Sequence, residues 1–244
     1  LHEKKIAEIA NMVSQRQGKV RLVLVAGPSS SGKTTFSKRL GIQLAVNGIR
    51  HHMLSVDDYF VDRENTPLDE KGNYDFEALG AIDVEFLNSQ LVELLAGKEI
   101  EIPRFDFHTG KRFFNGHRLK LGEKDVLIIE GIHCMNPDLL PLIDPETTFR
   151  IFISALTQVS VDEQTHISTS DNRLLRRMIR DSKFRGYSAR ETIRRWPSVR
   201  NGEEKNIFPF QENADVMFNS ATLYELAVLK KYAYPLLHEV TENQ

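Results

Sequence analysis

Apolar residues fall into two patterns that alternate along the chain. Largely apolar runs at residues 20–26, 49–56, 126–129, 149–154 and 214–218 have the length and β-branched content of buried strands. Amphipathic stretches of helical period lie between several of them. The clearest begins at Asp83, which can cap: Phe86, Leu87, Leu91, Leu94 and Leu95 form one apolar stripe, and Gly97 supplies the stop. Ile6, Ile9, Ala10 and Val13 put a similar face on a helix within residues 1–18. The alternation predicts an α/β fold, a mostly parallel sheet flanked by helices, with all 244 residues in one domain.

Two stretches break the pattern. Residues 57–77 are polar and turn-rich around Asn65, Pro67, Gly72 and Asn73, yet hold Tyr59, Phe60, Tyr74 and Phe76. Residues 165–206 are densely basic and predict a helical lid. Within them, a helix capped near Ser170 would put Arg173, Arg176, Arg177 and Arg180 in one guanidinium stripe. Such a stripe repels itself unless anions lie opposite, so it either clamps phosphates or is an exposed face offset by acids such as Asp181 or Glu191. Ser188-Ala189-Arg190-Glu191 reads as a capping box opening the next helix, which Pro197 should end after Trp196.

The strongest chemical signal is Gly27-Pro28-Ser29-Ser30-Ser31-Gly32-Lys33-Thr34, which fits G-x-x-x-x-G-K-[ST] between a predicted strand and a predicted helix. The glycines let backbone N–H groups of a cradle that includes Ser29, Ser30, Ser31 and Thr35 surround phosphate oxygens, at the positive end of the helix. Lys33 is expected on the β- and γ-phosphates of ATP and the Thr34 hydroxyl on Mg²⁺. No Asn-Lys-x-Asp guanine reader is present, and Asp69-Glu70-Lys71-Gly72 fits D-x-x-G only in a turn-rich loop, a chance match. Two further acids end apolar runs. Glu130 is a candidate at the metal, or a solvated strand end paired with a lysine; Asp57, with Asp58 second, is the candidate proton acceptor for a substrate hydroxyl, or else caps the following turn.

These motifs resemble the uridine kinase family, within the uridine kinase and phosphoribulokinase group, from about residue 20 to 220. The family's phosphate loop corresponds to residues 27–35, its Asp-Ser-Phe-Tyr to Asp57-Asp58-Tyr59-Phe60, its Asn-Phe-Asp to Asp75-Phe76-Glu77, its Glu-Gly-Ile to Glu130-Gly131-Ile132, and its lid helix to residues 173–181. The resemblance implies Asp57 as base, Glu130 near the metal, Arg173 and Arg176 in the closed phosphate site, and transfer to the hydroxyl of a nucleoside such as uridine or cytidine; Arg177 and Arg180, from the same guanidinium stripe, are expected at the nucleotide. Tyr59, Phe76, Phe105, Phe107, His108 and Arg112 are the expected acceptor contacts. Phe105 stands where the family has tyrosine and Gly110 where it has a base-touching histidine. Weaker discrimination among pyrimidines is the expectation. Another small metabolite, such as a sugar phosphate or a pantothenate-like compound, is the alternative acceptor, and a non-catalytic nucleotide switch the alternative class.

Composition narrows the partners. With 32 basic and 34 acidic residues there is no global field to recruit nucleic acid or an anionic membrane, so anions must be bound locally. One cysteine and no run near the roughly 20 apolar residues of a membrane span predict a reducing, cytoplasmic setting. Homo-oligomerisation is left open. A start at Leu1 without methionine is what a piece of a longer protein would show, and the chain also looks like the kinase part of longer bacterial uridine-kinase-like proteins with an N-terminal region.

Overall fold

A computed structural model of the chain describes residues 2–157 and 167–240. Its centre is a five-stranded parallel sheet of β1 (Leu22–Ala26), β2 (His51–Ser55), β7 (Val126–Glu130), β8 (Thr148–Ser154) and β9 (Val216–Asn219), in the order β2-β7-β1-β8-β9. Two short antiparallel pairs lie apart from it. They join β3 (Glu99–Glu101) to β6 (Arg118–Lys120) and β4 (Arg104–Asp106) to β5 (Lys111–Phe113).

Every residue of β1 is buried because alternate side chains feed two cores. Val23 and Val25 pack with Ile6 and Ile9 of α1 (His2–Gln15) and Phe36, Leu40 and Leu44 of α2 (Lys33–Val46). Leu22 and Leu24 pack on the opposite side with Leu87, Leu91 and Leu94 of α3 (Val84–Leu95), each fully buried leucine contributing about 1.5–3 kcal/mol. Asp83 caps α3 as predicted, accepting from Phe86 N at 3.1 Å.

The basic segment is two packed helices, α4 (Thr169–Phe184) and α5 (Ala189–Asn206), and α6 (Glu225–His238) closes the chain. Residues 165 and 166, where the lid was expected to begin, lie outside the described residues. Two expectations are corrected here. The cap of α4 is Ser168, whose Oγ accepts from Asp171 N at 3.0 Å, while Ser170 Oγ instead accepts from Trp196 Nε1 at 3.2 Å. Pro197 also does not end α5, which runs nine residues further to Asn206. Trp196, Val199 and Glu203 are buried on either side of it, and that packing outweighs the roughly 3 kcal/mol an interior proline costs a helix. The capping box at Ser188 and Glu191 forms as read.

The strand order reverses at the C-terminal end of β1, because the chain goes from there to the β2 edge and later to the β8 side. β7 sits between β1 and β2 in a register that pairs Glu130 with Val25 and with Ser55. The sequence after β1, the acids after β2 and the last residue of β7 therefore meet at one crevice.

Candidate active site

The crevice opens into a cavity of about 340 Å³ whose walls include Ser29, Ser30, Gly32, Lys33, Thr34 and Thr35 on one side. The turn that forms this wall starts at Gly27, with φ +150°; a Cβ there would sit 2.2 Å from Ile153 O of β8. Only glycine lets the loop leave β1 so close to its neighbour strand. Gly32 (φ +94°) then admits α2, whose first N–H groups have no carbonyl within the helix to accept them. Gly27 and Ser31 support the turn from outside the cavity wall, Ser31 being fully buried.

Lys33 Nζ donates to Gly27 O at 2.9 Å and Pro28 O at 3.4 Å. Desolvation lowers its pKa, against the pull of Glu130 and Asp57. Thr34 Oγ1 donates to Glu130 Oε1 at 2.6 Å, and desolvation raises the Glu130 carboxyl despite the nearby lysine. Across from them stand Asp57, Phe60, Arg63, Phe76, Glu77, Phe105, Phe107 and Ile132, with Arg177 and Arg180 of α4, Arg185 and Tyr187 of the connection after it, and Arg195 of α5. Asp57 caps nothing among the described residues; its nearest cation is Arg185, at 3.9 Å. Asp58 is used structurally, paired with Arg104 at 3.0 Å and accepting from Phe105 N at 3.3 Å. Asp69 likewise closes its own turn, accepting from Lys71 N and Asn73 N, as a chance match to D-x-x-G would.

The arginine stripe divides in two. Arg177 and Arg180 line the cavity; Arg177 Nη1 donates to Ser29 Oγ at 2.8 Å, and both lean on Asp181, at 3.3 and 2.7 Å. Arg173 and Arg176 were expected in the phosphate site and instead stand behind the loop. Arg173 is 1% exposed; its Nη1 donates to Ser29 O at 3.0 Å and its Nη2 to Glu203 Oε2 at 2.7 Å. Glu203 Oε1 in turn accepts from Ser29 N at 3.0 Å, so one buried ion pair holds both ends of that residue's backbone. Arg176 Nη1 donates to Ser30 O at 3.2 Å and Nη2 to Glu225 Oε2 at 2.7 Å, while Ser220 Oγ donates to Ser31 O. Three consecutive loop carbonyls are thereby turned away from the cavity. That is the arrangement an anion needs, since a carbonyl facing a phosphate would repel it.

Three expected acceptor contacts lie elsewhere. Tyr59 is fully buried and donates to Gln90 Oε1 at 2.7 Å, because the turn after β2 points it into the core and sends Phe60 to the cavity. Arg112 is taken by Asp83 at 2.9 Å and stacks over Phe86. His108 is not a wall residue and sits by Gly186. Phe76, Phe105 and Phe107 are at the cavity as read. Sequence reasoning missed Phe60, Arg63, Glu77, Arg185, Tyr187 and Arg195. Phe60 and Glu77 stood inside motifs already quoted, whereas nothing local marked Arg63. Glu77 has its pKa raised to about 7, mainly by desolvation, partly offset by Arg177.

Among the described residues no helix is long and apolar enough to cross a membrane. Residues 22–227 match the model of the Phosphoribulokinase / Uridine kinase family. The uridine kinase of Ligilactobacillus salivarius is 31% identical over 207 residues, covering 84% of this chain and 87% of that protein. Uridine kinase of Staphylococcus aureus is 27% identical over 209 residues, with 85% and 91% covered. Among solved structures, a "possible uridine kinase" from Bacillus stearothermophilus superposes with a TM-score of 0.57 at 23% identity, covering 88% of this chain and 98% of that one. D-glycerate 3-kinase from Cryptococcus neoformans gives 0.56 at 14%, covering 88% and 90%. At such identities the structures speak to the fold. The family match settles membership: the chain belongs to the phosphoribulokinase/uridine kinase family and is a kinase.

Proposed function

We propose that this kinase transfers the γ-phosphoryl group of ATP to a hydroxyl of a small molecule, with Asp57 accepting the hydroxyl proton. The observation that carries the reading is convergence: Lys33, the Thr34–Glu130 pair, Arg177, Arg180 and Asp57 all line one cavity. A nucleotide switch needs no acceptor pocket with a carboxylate in it. Here Asp57 faces a space walled by Phe60, Phe76, Phe105 and Phe107.

The residues fit Mg²⁺. Thr34 and Glu130 offer two oxygens 2.6 Å apart at the cavity wall, and an ion that prefers oxygen and keeps waters and phosphate ligands needs few protein donors. Bound there, Mg²⁺ would neutralise charge on the phosphates. Lys33 would exchange its contacts with Gly27 O and Pro28 O for phosphate oxygens, and Arg177 and Arg180 would meet charge developing on the transferred group. Asp57 would orient the acceptor and take its proton as the new P–O bond forms and ADP leaves.

Relatives named uridine kinase make the 5′-hydroxyl of uridine or cytidine the first acceptor to try, and the phenylalanine wall can hold a flat ring. The test is acceptor-dependent ADP release with a panel of nucleosides and small alcohols, in the parent and in Asp57→Asn. The expected outcome is turnover in the parent and about a hundredfold or greater loss of kcat in the variant, with the KM for ATP held within a few-fold. ADP release that no acceptor stimulates would refute the reading.

A further inference from the structure

The space that a side chain at position 110 would need is filled by Arg63. Gly110 has φ +71°, and a Cβ there would lie 2.7 Å from Arg63 Nε and 2.8 Å from Arg63 Cβ and Cζ. The glycine is the seat of the Arg63 side chain. Arg63 N also donates to Gly110 O at 2.8 Å, and Arg63 Nη2 donates to Phe107 O at 2.7 Å, which fixes the guanidinium at the cavity wall.

Charge sets Arg63 apart from its neighbours. Arg177, Arg180 and Arg185 share Asp181, at 3.3, 2.7 and 4.0 Å. Among the described residues no carboxylate pairs with Arg63, so this half-buried cation has one hydrogen bond for its five N–H groups. Its position is on the acceptor side. Phe107 gives its carbonyl to Arg63 and its ring to Arg185, 4.3 Å away, and Arg185 reaches to 3.9 Å from Asp57. Arg185 and Phe107 therefore link the candidate base to an unpaired planar cation on the same cavity wall.

We infer that the acceptor carries a negative group, a phosphate monoester or a carboxylate, which Arg63 receives while the hydroxyl lies at Asp57. The inference rests on the reading of this cavity as the acceptor site. Guanidinium matches both anions by two parallel hydrogen bonds, a geometry that a lysine or an imidazole does not reproduce. A neutral alcohol would leave those donors to water alone.

The experiment uses matched acceptors and two readouts. Glycerol, D-glycerate and glycerol 3-phosphate are compared as acceptors beside uridine and cytidine, in the parent, Arg63→Met and Arg63→Lys. Binding of the two anions is measured by calorimetry in the presence of Mg²⁺ and a non-hydrolysable ATP analogue, which keeps them off the phosphate loop. The expected result is that an anionic probe binds and turns over at least about tenfold better than glycerol, that Arg63→Met removes the advantage, and that Arg63→Lys keeps part of it. Equal KM for ATP and equal thermal midpoints show that the variants are folded. Preference for the phosphate over the carboxylate, or the reverse, names the group. The inference is overturned if neither anion binds, if Arg63→Met binds them as the parent does, or if uridine is the better substrate and loses rate in Arg63→Met because the guanidinium reads a base carbonyl. Absence of turnover with Arg63-dependent anion binding intact would instead sink the kinase reading of the cavity.

Discussion

Arg173 and Arg176 differ from Arg177 and Arg180 by a single step around one helix, and the two pairs meet opposite fates. The first pair is spent on the protein itself, each guanidinium joining a loop carbonyl to a buried or half-buried glutamate. The second pair faces the cavity and shares one aspartate. Identical residue type and regular spacing thus say little about role. What decides it is the partner each side chain meets, Glu203 and Glu225 on one side and open cavity on the other.

The largest expected effect separates the pairs by stability. Arg173→Ala leaves Glu203 buried with only Arg200, at 3.1 Å, to pair with it, and should cost about 3–5 kcal/mol in denaturant unfolding, with nucleotide binding lost as the Ser29 backbone is released. Arg173→Met combined with Glu203→Met should recover most of that stability but not the binding. A single variant as stable as the parent would erase the distinction drawn here. Arg180→Ala should do the converse, leaving the unfolding midpoint nearly unchanged while lowering kcat about 10²-fold in a steady-state assay. An Arg180→Ala protein with full activity would place the working cation elsewhere, at Arg177 or Arg185.

Helix order, the phosphate loop and the two strand-end acids could be read from sequence because each depends on local pattern: apolar period, glycine spacing, an acid after an apolar run. The division of the arginine stripe could not, since Glu203 and Glu225 lie 30 and 49 residues from the arginines they pair with. Tyr59 and Phe60 show the same limit at shorter range. Both are aromatic, adjacent and packed in one core, and only the turn after β2 determines which of them also forms the cavity wall. Arg63 was invisible for a related reason, because its place is defined by the absence of a side chain 47 residues later at Gly110.

Glu77 sharpens the comparison from the cavity side, where Arg177 opposes its desolvation. Its folded pKa of about 7 lies above the 4.5 usual for a glutamate, so ionising it costs stability progressively as pH rises between those values and adds no further cost above them. Glu77→Gln should therefore gain on the parent across that window, by about 1 kcal/mol once cavity water is allowed for, when thermal midpoints are compared from pH 4.5 to 8. A constant difference would mean Glu77 is charged throughout. The smallest effect belongs to the anchored face. Pro197→Ala restores a helical N–H at an exposed position, and with the unfolded chain loosened at the same time should stabilise by under about 1 kcal/mol in the same unfolding assay. Destabilisation would show that the proline shapes the packing around Trp196.

The hold of Arg173 and Arg176 on the phosphate loop also fixes how α4 can act as a mechanical part. One end of the helix is pinned at Ser29 and Ser30, as a fulcrum, while Arg180, Arg185 and Tyr187 ride toward the other. From Arg173 to Phe184 the helix is roughly 16 Å long at 1.5 Å per residue, so a tilt of about 10° would swing its far end by roughly 3 Å. That distance is the length of a hydrogen bond. A tilt on that pivot would bring Arg180 and Arg185 into or out of reach of a phosphoryl group while Arg173 and Arg176 kept their hold on the cradle.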